Sequence, residues 1–168
     1  ALKKIDIMSH VDDHFIEKLD SASKEYSEKL QYNIQELLDS MLGKMRTVNV
    51  SNDFAVTVTD SHRDESNSEG QFAVVSFAYI GGIFKMLQGE KELSSKEYPL
   101  VLDGPFSKLD EDYRQNVVNA LPSLAPQVMI FSKDDLQELF DEENIGRVWT
   151  IQSNAEKNIA SVKEGHLW

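Results

Sequence analysis

The chain has 168 residues, 40% hydrophobic and 27% charged, which is typical of one globular domain with a real core. It contains no cysteine, which excludes disulfides and thiolate metal sites. No signal-peptide pattern and no run near the ~18 apolar residues of a membrane helix occur, so we expect a cytoplasmic protein without a membrane partner. The net charge of −12 repels phosphates at long range, so this chain is not expected to be the main nucleic-acid contact by itself.

Residues 1–46 are predicted to form one long amphipathic helix, with Ser21 to Ser23 as the place where it would break. Steps of three and four residues place one apolar stripe along it: Val11, Phe15, Leu19, Ala22, Tyr26, Leu30, Ile34, Leu37, Met41 and Met45. Such a helix fits the root of a coiled-coil arm. It fits equally a helix packed on its own domain.

The periodicity changes after Gly43. Apolar and polar residues alternate over 48–50 and 54–58, which predicts two half-buried strands joined by a turn at Ser51 to Asp53. Residues 60–67 are polar and predict a loop. Ser68 is a plausible N-cap for a helix that is apolar over most of its surface and should therefore be buried.

A short apolar run, Leu100 to Leu102, predicts a strand buried on both faces, as in a parallel sheet. Asp103 would lie at its carboxyl end, where open α/β sheets bind ligands. Gly104 and Pro105 end the strand, and Asp110 would cap the next helix. Further along, the pattern predicts strands over 127–131, 147–151 and 159–162, and a short helix over 134–140.

Two segments resemble motifs of ABC-type ATPases. Residues 103–110 read Asp-Gly-Pro-Phe-Ser-Lys-Leu-Asp after an apolar strand, which is similar to the Walker B and D-loop segment. Residues 68–71 read Ser-Glu-Gly-Gln about 35 residues earlier, and resemble the signature motif, with Glu69 in place of its first Gly. The variants that these segments most resemble belong to the coiled-coil branch of chromosome-maintenance and recombination-repair ATPases, and the resemblance is strongest to the bacterial DNA sulfur-modification ATPases.

This resemblance implies roles for individual residues. Asp103 would hold Mg²⁺, Asp110 would lie at the interface between two heads, and Lys133 would stand near the position of the switch residue that senses the γ-phosphate. Ser68 and Gly70, with Gln71 beside them, would contact ATP held on a second head. The cofactors implied are ATP and Mg²⁺, and the partner implied is a second head in an ATP-dependent homodimer.

The chain departs from the family's pattern at two places. Gly104 stands where a Glu usually orients the attacking water, which puts hydrolysis in doubt more than binding. No Gly-x-x-x-x-Gly-Lys-Ser/Thr phosphate loop occurs, so nothing here cradles the α and β phosphates. We therefore expect residues 47–168 to be the carboxy-terminal lobe of an α/β ATPase head, a mostly parallel sheet flanked by helices, inactive without its amino-terminal lobe. Residues 1–46 would be the arm root.

The function implied is DNA repair, DNA modification or anti-phage defence, with DNA bound through the complete assembly. The alternative is a non-catalytic acidic module or pseudo-ATPase used for dimerisation, which Gly104 and the absence of a His near Lys133 favour.

Overall fold

The structure is a computed structural model. It describes the backbone of residues 2–44, 46–60, 68–89, 98–134, 136–154, 156 and 158–165. Within these ranges it describes the side chains from His10 onward, except that of Gln137. The chain divides into two compact units, Ala1–Ser132 and Lys133–Trp168. The first unit contains α1 Leu2–Leu42, β1 Arg46–Val50, β2 Val56–Asp60, α2 Glu69–Gly89, β3 Leu100–Asp103, α3 Glu111–Leu124 and β4 Val128–Phe131. Most of the predicted 60–67 loop, including Asn67 just ahead of the Ser-Glu-Gly-Gln segment, lies outside the described residues.

Helix α1 runs without interruption for 41 residues, so the predicted break near Ser21 to Ser23 is wrong. No Gly or Pro occurs within it, and serines alone do not stop a helix whose stripe continues on both sides. It ends where Gly43 adopts the left-handed conformation (φ +75°), the usual carboxyl-terminal stop. Asn116 of α3 donates to the Met41 carbonyl at 2.9 Å, which satisfies one of the last free carbonyls of α1.

The apolar stripe of α1 is buried along only part of its length. Leu30, Ile34 and Met41 are at most 2% exposed, whereas Phe15 is 71% and Leu19 67% exposed. Residues 10–21 are all exposed. The carboxyl half of the helix therefore contributes to the core, and the amino half extends beyond it.

Helix α2 crosses α1 at two glycines. A Cβ added at Gly82 would lie 2.8 Å from Ile34 Cγ1, and one added at Gly81 2.7 Å from Leu37 Cδ1. Lys85 also forms a salt bridge of 3.1 Å with Glu36. By length and composition α2 could cross a membrane, but core helices of folded domains have the same properties, and Val74 and Ala78 are fully buried against the rest of the unit.

The predicted hairpin is confirmed as the antiparallel pair β1–β2, with Val48 opposite Val58. Two glutamine side chains of α1 accept hydrogen bonds from the backbone of β1. The Gln35 amide oxygen accepts from the Val48 N–H at 2.8 Å, and that of Gln31 from the Val50 N–H at 2.9 Å. Gln35 also donates to the Arg46 carbonyl at 2.9 Å. The free edge of β1 is thus satisfied by α1, which fixes the hairpin on that helix.

Strands β3 and β4 are parallel and joined by α3, with Asp103 opposite Phe131. Leu100 and Leu102 are buried, but Val101 is 54%, Met129 38% and Phe131 49% exposed. The prediction that these strands are buried on both faces is wrong for the described residues. Among the described residues, the face of β3 that carries Leu100 and Leu102 is buried, and no described element covers the face that carries Val101.

The second unit contains two 3-10 turns, Gln137–Leu139 and Glu142–Asn144, and strands β5 Trp149–Asn154 and β6 Ile159–Glu164. The two strands pair antiparallel, with Ile151 opposite Val162, which confirms the two predicted strands. The helix predicted over 134–140 is wrong for the described residues 134 and 136–140, among which a 3-10 turn forms at Gln137–Leu139. The Leu139 N–H donates to the Leu136 carbonyl, a bond that spans three residues as in a 3-10 turn and not four as in an α-helix.

Candidate functional site

The turn after β3 is shaped by a glycine in a left-handed conformation. Gly104 has φ +57°, and its N–H donates to the Phe131 carbonyl at 2.8 Å, which continues the parallel ladder for one residue. The Gly104 carbonyl accepts from the Ser107 hydroxyl at 3.0 Å. A side chain at Gly104 would meet nothing within 4 Å. The position therefore requires glycine for its backbone conformation and not for lack of space.

Asp103 lies exposed at the carboxyl end of β3, as predicted. Its carboxylate forms no hydrogen bond or ion pair within the described part of the chain, so its oxygens remain available. No group of three or more His, Cys, Asp or Glu is close enough to hold a metal among the described residues. One available carboxylate fits Mg²⁺, which keeps several waters and takes phosphate oxygens as further ligands; it does not form a closed metal site.

The predicted N-cap of α2 is a reciprocal capping box. The Ser68 hydroxyl accepts from the Gln71 N–H, and the Gln71 amide oxygen accepts from the Ser68 N–H, each at 3.2 Å. The Ser-x-x-Gln spacing is itself a capping-box pattern, so this arrangement could have been read from the sequence. The N–H groups of Glu69 and Gly70 have no acceptor in the described residues. They are the donors of the first turn that an anion could bind.

The start of α2 lies directly against the segment that follows β3. An added Cβ at Gly70 would lie 3.4 Å from the Lys108 carbonyl oxygen and 3.4 Å from the Tyr113 ring. Phe106, only 2% exposed, stacks on Phe77 of α2 with ring centroids 6.4 Å apart. The structure therefore brings together the two motif-like segments, which are more than 30 residues apart in the sequence.

Asp110 caps α3. Its carboxylate accepts from the Tyr113 N–H at 3.0 Å, and the residue is exposed. This contact confirms the predicted cap. The role of Asp110 at an interface between heads stays a prediction.

Two residues that the sequence did not single out contact Gln71. Arg46, at the start of β1, donates from its guanidinium to the Gln71 amide oxygen at 2.9 Å. The Gln71 amide nitrogen donates to the Tyr113 hydroxyl at 3.4 Å. No pattern in the sequence pointed to Arg46 or Tyr113, because they come from different elements and only the fold places them around Gln71.

Lys133 is exposed two residues after the end of β4 and belongs to the second unit. No described contact gives it a nucleotide role, so that role stays a prediction. The other predicted site residues lie on the first unit: Ser68, Gly70 and Gln71 at the start of α2, and Asp103 and Asp110 at the two ends of one turn.

No protein family's sequence profile and no curated protein matches this chain. Its structure is similar to that of an Smc head domain from Pyrococcus furiosus, solved with an extended coiled coil and bound to the C-terminal domain of ScpA. The TM-score is 0.67 at 14% identity over 98% of this chain and 41% of that one. A Pyrococcus yayanosii Smc head domain with a coiled coil and joint gives 0.66 at 15% identity over 98% and 33%.

A third similar structure comes from work on ATP-driven dimerization and DNA-stimulated activation of SMC ATPases. Its TM-score is 0.64 at 14% identity, over 88% of this chain and 90% of that one. The chain therefore spans less than half the length of the two Pyrococcus head chains and most of the third. It has a mixed α/β fold with a long amino-terminal helix, similar to that of these SMC head domains, as the sequence predicted. The predicted mostly parallel sheet is not found among the described residues, where β3 and β4 pair parallel and the other two strand pairs are antiparallel.

Proposed function

We propose that this chain is the carboxy-terminal lobe of a coiled-coil ABC-type ATPase head, which pairs with a second head around Mg-ATP and serves DNA repair, DNA modification or anti-phage defence. The missing amino-terminal lobe would bind the α and β phosphates, and α1 would be the root of the arm. The observation that carries this proposal is the contact between the start of α2 and the turn after Asp103, where Gly70 lies against the Lys108 carbonyl.

Each residue of the candidate site has a separate proposed role. Asp103 offers an available carboxylate at a strand end, where Mg²⁺ would balance the charge of phosphate oxygens when bound. The N–H groups of Glu69 and Gly70, which have no acceptor among the described residues, offer hydrogen bonds to an anion on a second head. Gly104 carries no side chain that could orient a water molecule. We therefore propose that nucleotide binding drives pairing and that any turnover is slow.

The test uses the complete head, with the amino-terminal lobe supplied, and measures Mg-ATP-dependent pairing by analytical ultracentrifugation. Ser68→Asp and Ser68→Asn both retain an N-cap, but only the first adds a negative charge. If Ser68 approaches a phosphate, Ser68→Asp abolishes pairing and Ser68→Asn retains it. Asp103→Asn should weaken Mg-dependent pairing, whereas Asp12→Asn, on the exposed part of α1, should not.

Equal pairing by Ser68→Asp and Ser68→Asn would show that α2 does not face the nucleotide. Absence of Mg-ATP-dependent pairing in the unmodified head would favour the alternative, a non-catalytic interaction module built on an ATPase fold. The observation that favours this alternative is the positive φ of Gly104, a backbone conformation that disfavours the Glu that usually orients the attacking water at this position.

A further inference from the structure

Gln71 is the centre of a hydrogen-bond network that joins α1, β1, α2 and α3. Its amide oxygen accepts from the Arg46 guanidinium at 2.9 Å and from the Ser68 N–H at 3.2 Å. Its amide nitrogen donates to the Tyr113 hydroxyl at 3.4 Å. Both lone pairs of the oxygen are therefore used inside this lobe.

The network reaches α1 through β1. Gln35 of α1 donates to the carbonyl of Arg46, and it accepts from the Val48 N–H. Arg46 thus has its backbone bonded to α1 and its guanidinium bonded to α2. On the other side, the ring of Tyr113 lies against Gly70, while its N–H is bonded to Asp110.

We propose that Arg46, Gln71 and Tyr113 are positioning residues that hold the Ser68–Gly70 segment in the orientation needed for head pairing, and that they connect this segment to the root of α1. This inference rests on the proposed function. It also revises the sequence-based expectation for Gln71, because its amide oxygen is fully engaged within the lobe and one N–H of its amide group already donates to Tyr113, so the side chain is oriented by the lobe rather than by a nucleotide. Arg46 and Tyr113 gain a role that their positions in the sequence did not indicate.

Substitutions of Gln71 separate positioning from nucleotide contact. In Gln71→Glu, one carboxylate oxygen can accept from Arg46 and Ser68, and the other can accept from the Tyr113 hydroxyl, which then donates. The network survives, and Arg46 balances the new charge. Gln71→Met has a similar length but accepts no comparable hydrogen bond. A residue that touched phosphate directly would instead tolerate Gln71→Glu worse than Gln71→Met, because the carboxylate would repel the phosphate.

The measurement is the ATP concentration that gives half-maximal pairing of the complete head. Gln71→Met and Arg46→Met should raise it about tenfold or more, since a hydrogen bond to a charged group is lost. In Gln71→Glu this concentration should stay within about threefold of that of the unmodified head. In Tyr113→Phe it should rise about threefold, because the hydrogen bond that is lost is long. Gln88→Met and Gln88→Glu, at the exposed far end of α2, are the matched controls and should change nothing.

A second readout needs no nucleotide. Hydrogen exchange of the amides over residues 68–72 should speed up in Gln71→Met and remain close to that of the unmodified protein in Gln71→Glu. Unchanged exchange in Gln71→Met would overturn the positioning role.

Loss of pairing in Gln71→Glu as severe as in Gln71→Met, in a head that otherwise pairs normally, would overturn the positioning role and leave the proposed function standing. A head that fails to pair without any substitution would overturn the proposed function itself, and the positioning role with it.

Discussion

The crossing of α1 and α2 should behave as a tightly fitted contact between one glycine and one isoleucine. A Cβ added at Gly82 would lie 2.8 Å from Ile34 Cγ1 and 3.3 Å from the Ile34 backbone nitrogen, where normal carbon–carbon contacts are about 3.5–4.0 Å. Either the Ile34 side chain must rotate or the two helices must separate. Because α2 begins with the Ser68–Gly70 segment, this crossing also supports the candidate site.

Two opposing contributions determine how Gly82→Ala changes the free energy of unfolding. Overpacking at Gly82→Ala costs about 1–3 kcal/mol, and the better helix propensity of alanine returns about 1 kcal/mol. The net loss should be about 1 kcal/mol. Ile34 is fully buried, so Ile34→Ala alone should lower the free energy of unfolding by about 2–5 kcal/mol. It also removes the atom that the new Cβ meets, so the double variant should lose about 1–2 kcal/mol less than the sum of the single variants.

The assay is equilibrium urea denaturation followed by circular dichroism at 222 nm. The three α-helices of the described residues lie in the first unit. Both tryptophans of the chain belong to the second unit, so tryptophan fluorescence would report on the wrong unit. Gly89→Ala is the matched control, because its added Cβ would meet nothing within 4 Å. Combined with Ile34→Ala, it should be additive within about 0.5 kcal/mol. Additivity of Gly82→Ala and Ile34→Ala to the same precision would refute the contact between them.

Substitutions at three further positions test local features. Gly104→Ala should lower the free energy of unfolding by about 1–2 kcal/mol through left-handed strain alone, and Gly104→Asn by less; urea denaturation measures both. Asp110→Ala should cost about 1 kcal/mol by removing the cap on the Tyr113 N–H, whereas Asp110→Ser should keep most of it. The Ser51 hydroxyl bonded to Asp53 lowers the pKa of that carboxyl, so Ser51→Ala should raise it in an NMR titration. Because the pKa of Asp53 is lower in the folded protein, its carboxylate stabilises the fold at pH values above the pKa of an aspartate in the unfolded chain, about 3.9. This stabilisation is lost as the pH falls through the pKa of Asp53 in the folded protein. Ser51→Ala should therefore make the free energy of unfolding depend less on pH in this range.

Predictions drawn from local patterns agree best with the structure. The stripe of α1, the hairpin around Ser51 to Asp53, the cap at Ser68 and the cap at Asp110 each depend on residues close in sequence. The exceptions are the break near Ser21 to Ser23, which α1 does not have, and the segment 134–140, whose short apolar pattern predicts a helix although a 3-10 turn forms at Gln137–Leu139. A short pattern cannot nucleate a helix unless packing supports it.

Predictions about burial fared worse. The apolar run of β3 suggested a strand covered on both faces, yet Val101 is half exposed. The stripe of α1 is equally regular at Phe15 and Ile34, although the first is 71% exposed and the second fully buried. Periodicity shows which face of an element is apolar. It does not show whether another element lies against that face.

By itself, the sequence determined the order and type of most elements, their caps and the two motif-like segments, because short-range hydrogen bonds and side-chain periodicity are encoded within a few residues of each other. Only the tertiary structure decided that these segments touch, that Arg46 and Tyr113 bond to Gln71, and that the glycines of α2 face Ile34 and Leu37. Those contacts join residues that are 25 to 50 positions apart in the sequence. A pattern that spans only a few residues cannot predict which distant residues the fold brings into contact.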